Sequence, residues 1–168
     1  MVDQLEERVA DLEQRLAALE VAEPPERRSA EGDFWALDGL KEQLAGLQAA
    51  DGGVTFAGAV RLPTGERYEW QQGALTEGLL GEDWTGAAEV ISALGNPVRL
   101  RLLQEIMGGR RTVAELAELD DMGTTGQIYH HLRHLTGAGW LHTTGRGLHA
   151  VPAARVVPLL VVLSVAQS

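Results

Sequence analysis

Two helix-start signals, at Thr112 and Thr124, constrain the fold of this chain more than any other feature of its sequence. Thr112 with Glu115, and Thr124 with Gln127, match the capping box, in which two side chains satisfy free N–H groups in the first turn of a helix. Between the two boxes lie the short helical segment VAELAEL and the turn DDMG, and the second helix extends to about Thr136. Two helices joined by a tight, glycine-containing turn form a helix-turn-helix.

The residues after this motif are typical of a small hairpin. Gly137 and Gly139 end the second helix. The segments WLHTT and LHAV, joined by GRG, then predict a strand, a tight turn and a second strand. A two-stranded wing after a helix-turn-helix predicts a winged-helix domain.

The same domain begins further upstream. Asn96 is a good N-cap, and Pro97 suits the first position of a helix. The helix that they start, VRLRLLQEIMGG, is stopped by Gly108 and Gly109. The segment EDWTGAAEVISALGN before it has helical periodicity as well.

These motifs together resemble the ArsR family of winged-helix repressors. The resemblance rests on ALGNPVRLRLLQEI, the helix-turn-helix, HHLRHLTGAGWL and the glycine-tipped wing, and it covers about residues 84–151. It implies a homodimer that binds operator DNA and represses transcription. Metal-sensing members carry cysteines on the first helix of the motif, or Asp and His on the C-terminal helix. This chain has neither, so metal sensing does not carry over.

The N-terminal region lies outside this resemblance. A heptad pattern at Val2, Leu5, Val9, Leu12, Leu16 and Leu19 indicates a coiled coil, or else a lone amphipathic helix that packs on its own domain. A proline-rich linker follows, and Asp33 is a candidate N-cap for a second helix. After DGG the apolar period changes to two, which predicts a β-hairpin.

We therefore expect a mainly α fold with a small β component (α+β). Its parts are a coiled-coil helix over residues 1–22, a linker over 23–32, a second helix over 33–50, a β-hairpin over 51–73, a winged helix-turn-helix DNA-binding domain over 74–155 and an apolar dimerisation segment over 156–168.

Charge and composition narrow the function. The net charge is −10, but residues 1–89 contain 19 acidic and 7 basic side chains, whereas residues 90–168 contain 5 acidic side chains, 7 arginines and all 5 histidines. Only the second part suits contact with phosphate. No cysteine, signal peptide, membrane span or catalytic signature is found, so we expect a cytoplasmic protein that is not an enzyme and needs no cofactor.

The second helix of the motif, the recognition helix, has two faces. Ile128, Leu132 and Leu135 fall together on a helical wheel and are expected to face the core. His131 lies beside them, and we expect it to be partly buried with a structural hydrogen bond. The opposite face, expected to enter the major groove, carries Gly126, Gln127, Tyr129, His130, Arg133 and His134. His130 and His134 are spaced to share a metal, but a two-ligand site that would block this face is the weaker interpretation.

Individual contacts with DNA follow from side-chain chemistry. Gln127 can bond the N6 and N7 edge of adenine, and Arg133 can bond guanine or a phosphate. On the register of the helix we expect base contacts from both. Thr124 and Thr125 either bind a phosphate at the helix N-terminus or only cap it.

Three further arginines are candidates for DNA contact. Arg146 at the wing tip is expected to reach the DNA backbone or the minor groove. Arg110 and Arg111 are either phosphate clamps or solvated loop charges.

Two other classes of function stay open. The acidic charge also fits a winged-helix and coiled-coil module that binds proteins instead of DNA. A small-molecule effector could be held near the hairpin by Phe34, Trp35, Tyr68 and Trp70, although these aromatic residues are more typical of core. The partners we expect are double-stranded DNA and a second copy of the chain, or a higher oligomer through the coiled coil.

Overall fold

The computed structural model describes residues 34–167, except for the side chain of Arg146. The chain groups into two units, Met1–Gly39 and Leu40–Ser168, and the features below belong to the second, apart from the first five residues of the first helix. The heptad segment over residues 1–22, the linker over 23–32 and the cap at Asp33 lie outside the described residues.

The order of elements confirms the predicted fold class. Helix α1 (Trp35–Gly46) is followed by an antiparallel hairpin of β1 (Gly53–Arg61) and β2 (Arg67–Leu75). Four helices come next: α2 (Thr76–Gly81), α3 (Thr85–Ser92), α4 (Pro97–Met107) and α5 (Val113–Ala117). Helix α6 (Thr125–Gly137) leads into the wing, formed by β3 (His142–Thr144), a 3-10 turn (Gly145–Gly147) and β4 (Leu148–Ala150), and α7 (Ala153–Ala166) follows.

One core holds the helices of the winged domain together. Its most deeply buried side chains come from α4, α5, α6 and α7 and from the residue that leads into the wing: Leu102, Leu103, Ile106, Leu116, Ile128, Leu132, Leu135, Leu141, Val156, Val157 and Leu159. The predicted core stripe of α6 is confirmed, because its three members are at most 1% exposed. Burial of each such side chain contributes about 1.5–3 kcal/mol, so this stripe fixes which face of α6 points outward.

Arg99, the arginine of the Asn-Pro-x-Arg motif, joins α3 to α4. The Asn96 side chain caps α4 by accepting a hydrogen bond from the Arg99 N–H at 3.1 Å. The Arg99 guanidinium donates back to the carbonyls of Ala93 (2.5 Å) and Ser92 (2.8 Å). Carbonyls at a helix C-terminus lack partners within the helix, so a single side chain satisfies the end of α3 and orients the start of α4.

Trp140 fixes the point where the chain leaves α6. Its side chain is 3% exposed, and its indole N–H donates to the carbonyl of Val90 at 2.9 Å. The Arg155 guanidinium lies 5.1 Å from the centre of the ring, a cation–π distance. Trp140 therefore links the end of α6 to α3 and α7.

The β-hairpin packs on α7. Gly58 of β1 lies against Val157, and a Cβ at Gly58 would stand 2.6 Å from Val157 Cγ1. On β2, Tyr68 packs against the core, whereas Trp70 is 37% exposed.

The apolar C-terminal segment is helix α7, with Pro158 inside it. Val156, Val157 and Leu159 are buried in the core of the same chain, whereas Val162 and Val165 are exposed. None of the helices described has both the length and the apolar character that a membrane span requires.

Candidate nucleic-acid interface

The start of α6 is fixed by the predicted capping box. Thr124 Oγ1 accepts a hydrogen bond from the Gln127 N–H at 3.3 Å, and Gln127 Oε1 accepts one from the Thr124 N–H at 2.7 Å. The matching box on α5 is also present, because Thr112 Oγ1 accepts from the Glu115 N–H and Glu115 accepts from the Thr112 N–H. The hydrogen bonds from Thr112 hold the pKa of Glu115 below its usual value. Both helices of the motif therefore begin where the sequence places them.

The turn before α6 is shaped around this cap. Gly123 has φ +77°, in the left-handed region that favours glycine. A Cβ at this position would overlap the side-chain oxygen of Gln127. Only glycine gives both the backbone conformation and the space that the Gln127 amide needs.

The outward face of α6 carries the side chains expected to meet DNA. Thr125, Gly126, Tyr129, His130, Arg133 and His134 are all exposed. Arg133 makes no ion pair or hydrogen bond with any residue that the structure describes. Tyr129 is 52% exposed and lines the same cleft as the free guanidinium of Arg133.

The capping box limits what Gln127 can do. A bidentate contact with adenine needs the amide oxygen to accept from N6 and the amide nitrogen to donate to N7. Here the oxygen already accepts from Thr124. The adenine contact expected from the sequence would therefore have to compete with the cap, whereas the amide nitrogen remains available as a donor.

The three histidines of α6 lie side by side but in different environments. The ring of His130 is 5.6 Å from that of His131 and 6.4 Å from that of His134. Within residues 34–167, no group of three or more His, Asp or Glu side chains is arranged to hold a metal.

The hydrogen bond expected for His131 is not made. Its Nδ1 is buried without a partner, so this expectation was wrong, although the side chain is partly buried as predicted. Burial lowers the pKa of His131, and the nearby His130 and Arg99 lower it further.

Arg110 and Arg111 have partners within the protein. Arg111 pairs with Glu66, in the turn of the hairpin, at 2.6 Å, and Arg110 pairs with Glu105 at 3.3 Å. The Arg111 guanidinium is 29% exposed, so it acts first as a link between the hairpin and the start of α5. Their roles as phosphate clamps stay predictions, and for Arg111 such a role would require the ion pair to open. The side chain of Arg146 lies outside the described part of the structure.

A cleft of about 420 Å³ opens between α6 and the wing. Tyr129, Arg133 and Thr136 line it from α6, and Thr143 and His149 line it from the wing. The sequence did not single out Thr136 or Thr143 as site residues. The signal for Thr136 was present, because a helical wheel places it on the same flank as Tyr129, but the side on which the wing folds back is a tertiary feature.

The comparisons with known proteins bear on the helix-turn-helix itself. Residues 94–143 match the family model of a helix-turn-helix domain. The crystal structure of an ArsR family transcriptional regulator is similar to this chain at 24% sequence identity and a TM-score of 0.40, over 51% of this chain and 91% of that one. No curated protein matches the chain.

The match over residues 94–143 confirms the predicted helix-turn-helix, and the two paired strands after it confirm the predicted wing. Residues 94–143 therefore belong to a helix-turn-helix domain, and the hairpin that follows gives it the form of a winged helix-turn-helix.

Proposed function

We propose that the protein is a transcription regulator that binds operator DNA as a homodimer through α6 and the wing, and that it represses transcription. The observation that carries this proposal is the two-faced character of α6. Its apolar stripe is fully buried, while Tyr129, His130 and Arg133 are exposed, and Tyr129 and Arg133 stand beside the wing. Because the apolar stripe fixes the rotation of α6, these three side chains form an outward polar ridge. Such a ridge fits the major groove of B-DNA, which is about 12 Å wide.

Within this ridge, His130 lies farthest from the core stripe and is the residue best placed to reach base edges. The donor nitrogen of Gln127 and the side chain of His134 flank it on one side. Thr124 and Thr125, at the start of the helix, stand where backbone N–H groups and the helix dipole attract a phosphate.

The distribution of charge supports the same orientation. Residues 1–89 have 12 more acidic than basic side chains, whereas residues 90–168 have 2 more arginines than acids. DNA is polyanionic, so the acidic part is repelled and the winged domain is the part that faces the duplex.

The homodimer is supported by apolar surface that α7 leaves uncovered. Val162 and Val165 are 40% and 69% exposed at the end of a helix whose other side is buried. The heptad segment over residues 1–22 offers a second contact between copies. A chain that begins at residue 32 should therefore still sediment as a dimer, and Val165→Glu in that chain should give monomers. If the shortened chain is already a monomer, α7 is not the interface.

The proposal is tested by binding of the full chain to a fluorescent duplex of random sequence. Counterion release predicts that the affinity falls steeply between about 50 and 200 mM salt. Arg61→Ala, on the hairpin, serves as a control for the loss of an arginine outside the interface and should bind as the wild type does. If no binding is found even at the lowest salt, the proposal fails and a protein-interaction module becomes the better interpretation.

A further inference from the structure

The cleft between α6 and the wing has a chemistry of its own. Its polar side chains are all able to donate hydrogen bonds: Arg133, Thr136, Thr143, His149 and the Tyr129 hydroxyl. Among the residues that the structure describes, no carboxylate lines it. A cleft with several donors, a cation and no acid suits an anion that accepts hydrogen bonds.

These donors have few competing partners. Among the described residues, neither Arg133 nor the hydroxyls of Thr136 and Thr143 make a side-chain hydrogen bond or an ion pair. The walls between them are carbon, from the Tyr129 ring and from Leu132 at the base. A ligand that is anionic at one end and apolar beside it would match both parts of the lining.

His149 is held so that only one of its ring nitrogens is available. Its backbone N–H donates to the carbonyl of Arg111 at 2.8 Å, which ties β4 to the start of α5. Its Nδ1 is buried without a partner, and burial lowers the pKa of the side chain. A buried N–H without an acceptor is more costly than an unpaired acceptor, so the neutral ring keeps its proton on Nε2, as a donor.

The position of the cleft identifies the anion. In a winged helix-turn-helix bound to DNA, the recognition helix enters the major groove, and we place the wing at the neighbouring minor groove. The two grooves are separated by one sugar–phosphate strand, which would therefore pass between helix and wing.

We propose that this cleft binds one sugar–phosphate unit of the DNA backbone, with Arg133, Thr143 and His149 as donors to the phosphate and Tyr129 against the deoxyribose. This inference rests on the proposed function. It also changes the role of Arg133 from the guanine contact expected from the sequence to a phosphate contact, because Arg133 stands on the flank of α6 that faces the wing.

The test compares a duplex of random sequence with a duplex selected for tight binding, by fluorescence anisotropy over a series of salt concentrations. Arg133→Ala should weaken binding to both duplexes by the same factor and should lower the salt slope by about 0.9, the value for one phosphate contact. Thr143→Val removes a hydroxyl and no charge, so it should weaken both roughly tenfold at an unchanged slope. Thr55→Val, the same exchange on the exposed face of the hairpin, is the matched control and should have no effect.

Because Thr143 is exposed, its substitution leaves the core intact and keeps the test independent of folding. Loss of binding to the selected duplex alone in Arg133→Ala would overturn the proposal in favour of a guanine contact. Wild-type affinity of Thr143→Val and Arg133→Ala for both duplexes would overturn it outright. If no duplex can be selected and the wild-type chain does not bind the random duplex either, the proposed function itself fails, and the cleft proposal fails with it.

Discussion

Substitution of Gly123 tests whether the turn of the helix-turn-helix is built around the cap of α6. In Gly123→Ala, a residue with a side chain must adopt φ +77°, which costs about 1–2 kcal/mol. The new Cβ also displaces the Gln127 amide, and with it the hydrogen bond to the Thr124 N–H, a further loss of about 1 kcal/mol. The free energy of unfolding should therefore fall by roughly 2–3 kcal/mol.

Urea denaturation followed by far-UV circular dichroism measures this change. With a slope of about 1–3 kcal/mol per molar urea, the midpoint should move down by about 0.7–3 M. Gly126→Ala is the matched control, because Gly126 lies three residues further on, inside α6, at a negative φ with only Thr124 Oγ1 near the added carbon, at 3.9 Å. Alanine should stabilise that position by up to ~1 kcal/mol.

A double-mutant cycle separates the two causes. In a Gln127→Ala background the amide is already absent, so Gly123→Ala should lose only the backbone share of its cost. An identical cost in both backgrounds would show that Gln127 and Gly123 are not coupled. A Gly123→Ala protein as stable as Gly126→Ala would refute the reasoning about this turn altogether.

Two further predictions concern the hairpin and the buried histidines. Gly58→Ala should lower the free energy of unfolding by about 1–3 kcal/mol, because the new Cβ meets Val157. Gly73→Ala, where the nearest neighbours of the new Cβ lie at 3.5 Å or more, should leave the stability unchanged. Equal urea midpoints for the two variants would mean that the hairpin does not pack on α7 as described. Burial lowers the pKa of His131 and His149 in the folded protein, so the unfolded chain binds more protons once the pH falls below about 6.5. The free energy of unfolding should therefore decrease from pH 7.5 towards pH 5, before carboxylates titrate. A double variant with glutamine in place of His131 and His149 should show a smaller decrease. If the decrease is the same in this variant, the pH dependence comes from other groups.

The sequence predicts the parts of this fold that local chemistry decides. Capping boxes at Thr112 and Thr124 join residues three positions apart, and the stripe of Ile128, Leu132 and Leu135 follows from the helical period alone. All of these appear in the structure where the pattern places them.

The features that the sequence did not predict depend on residues far apart in the chain or on competition for one atom. Arg111 pairs with Glu66, 45 residues away, and no local pattern connects them. The cleft brings Thr136 next to His149 only because the wing folds back along one flank of α6. For Gln127, local rules predicted both the helix cap and the adenine contact, and both need the same side-chain oxygen. The structure shows that this oxygen accepts from the Thr124 N–H and so belongs to the cap.

Selection of duplexes from a random-sequence library by the full chain is the most direct test of the claim that α6 reads DNA. The affinity for a selected duplex is then compared with that for a scrambled duplex of the same composition, at one physiological salt concentration. We predict that the selected duplex binds at least about 10³-fold more tightly, the lower end of the range for specific DNA-binding proteins. His130→Ala should narrow that ratio, because a base contact distinguishes sequences. Failure to enrich any sequence, or equal affinity for the two duplexes, would contradict the claim.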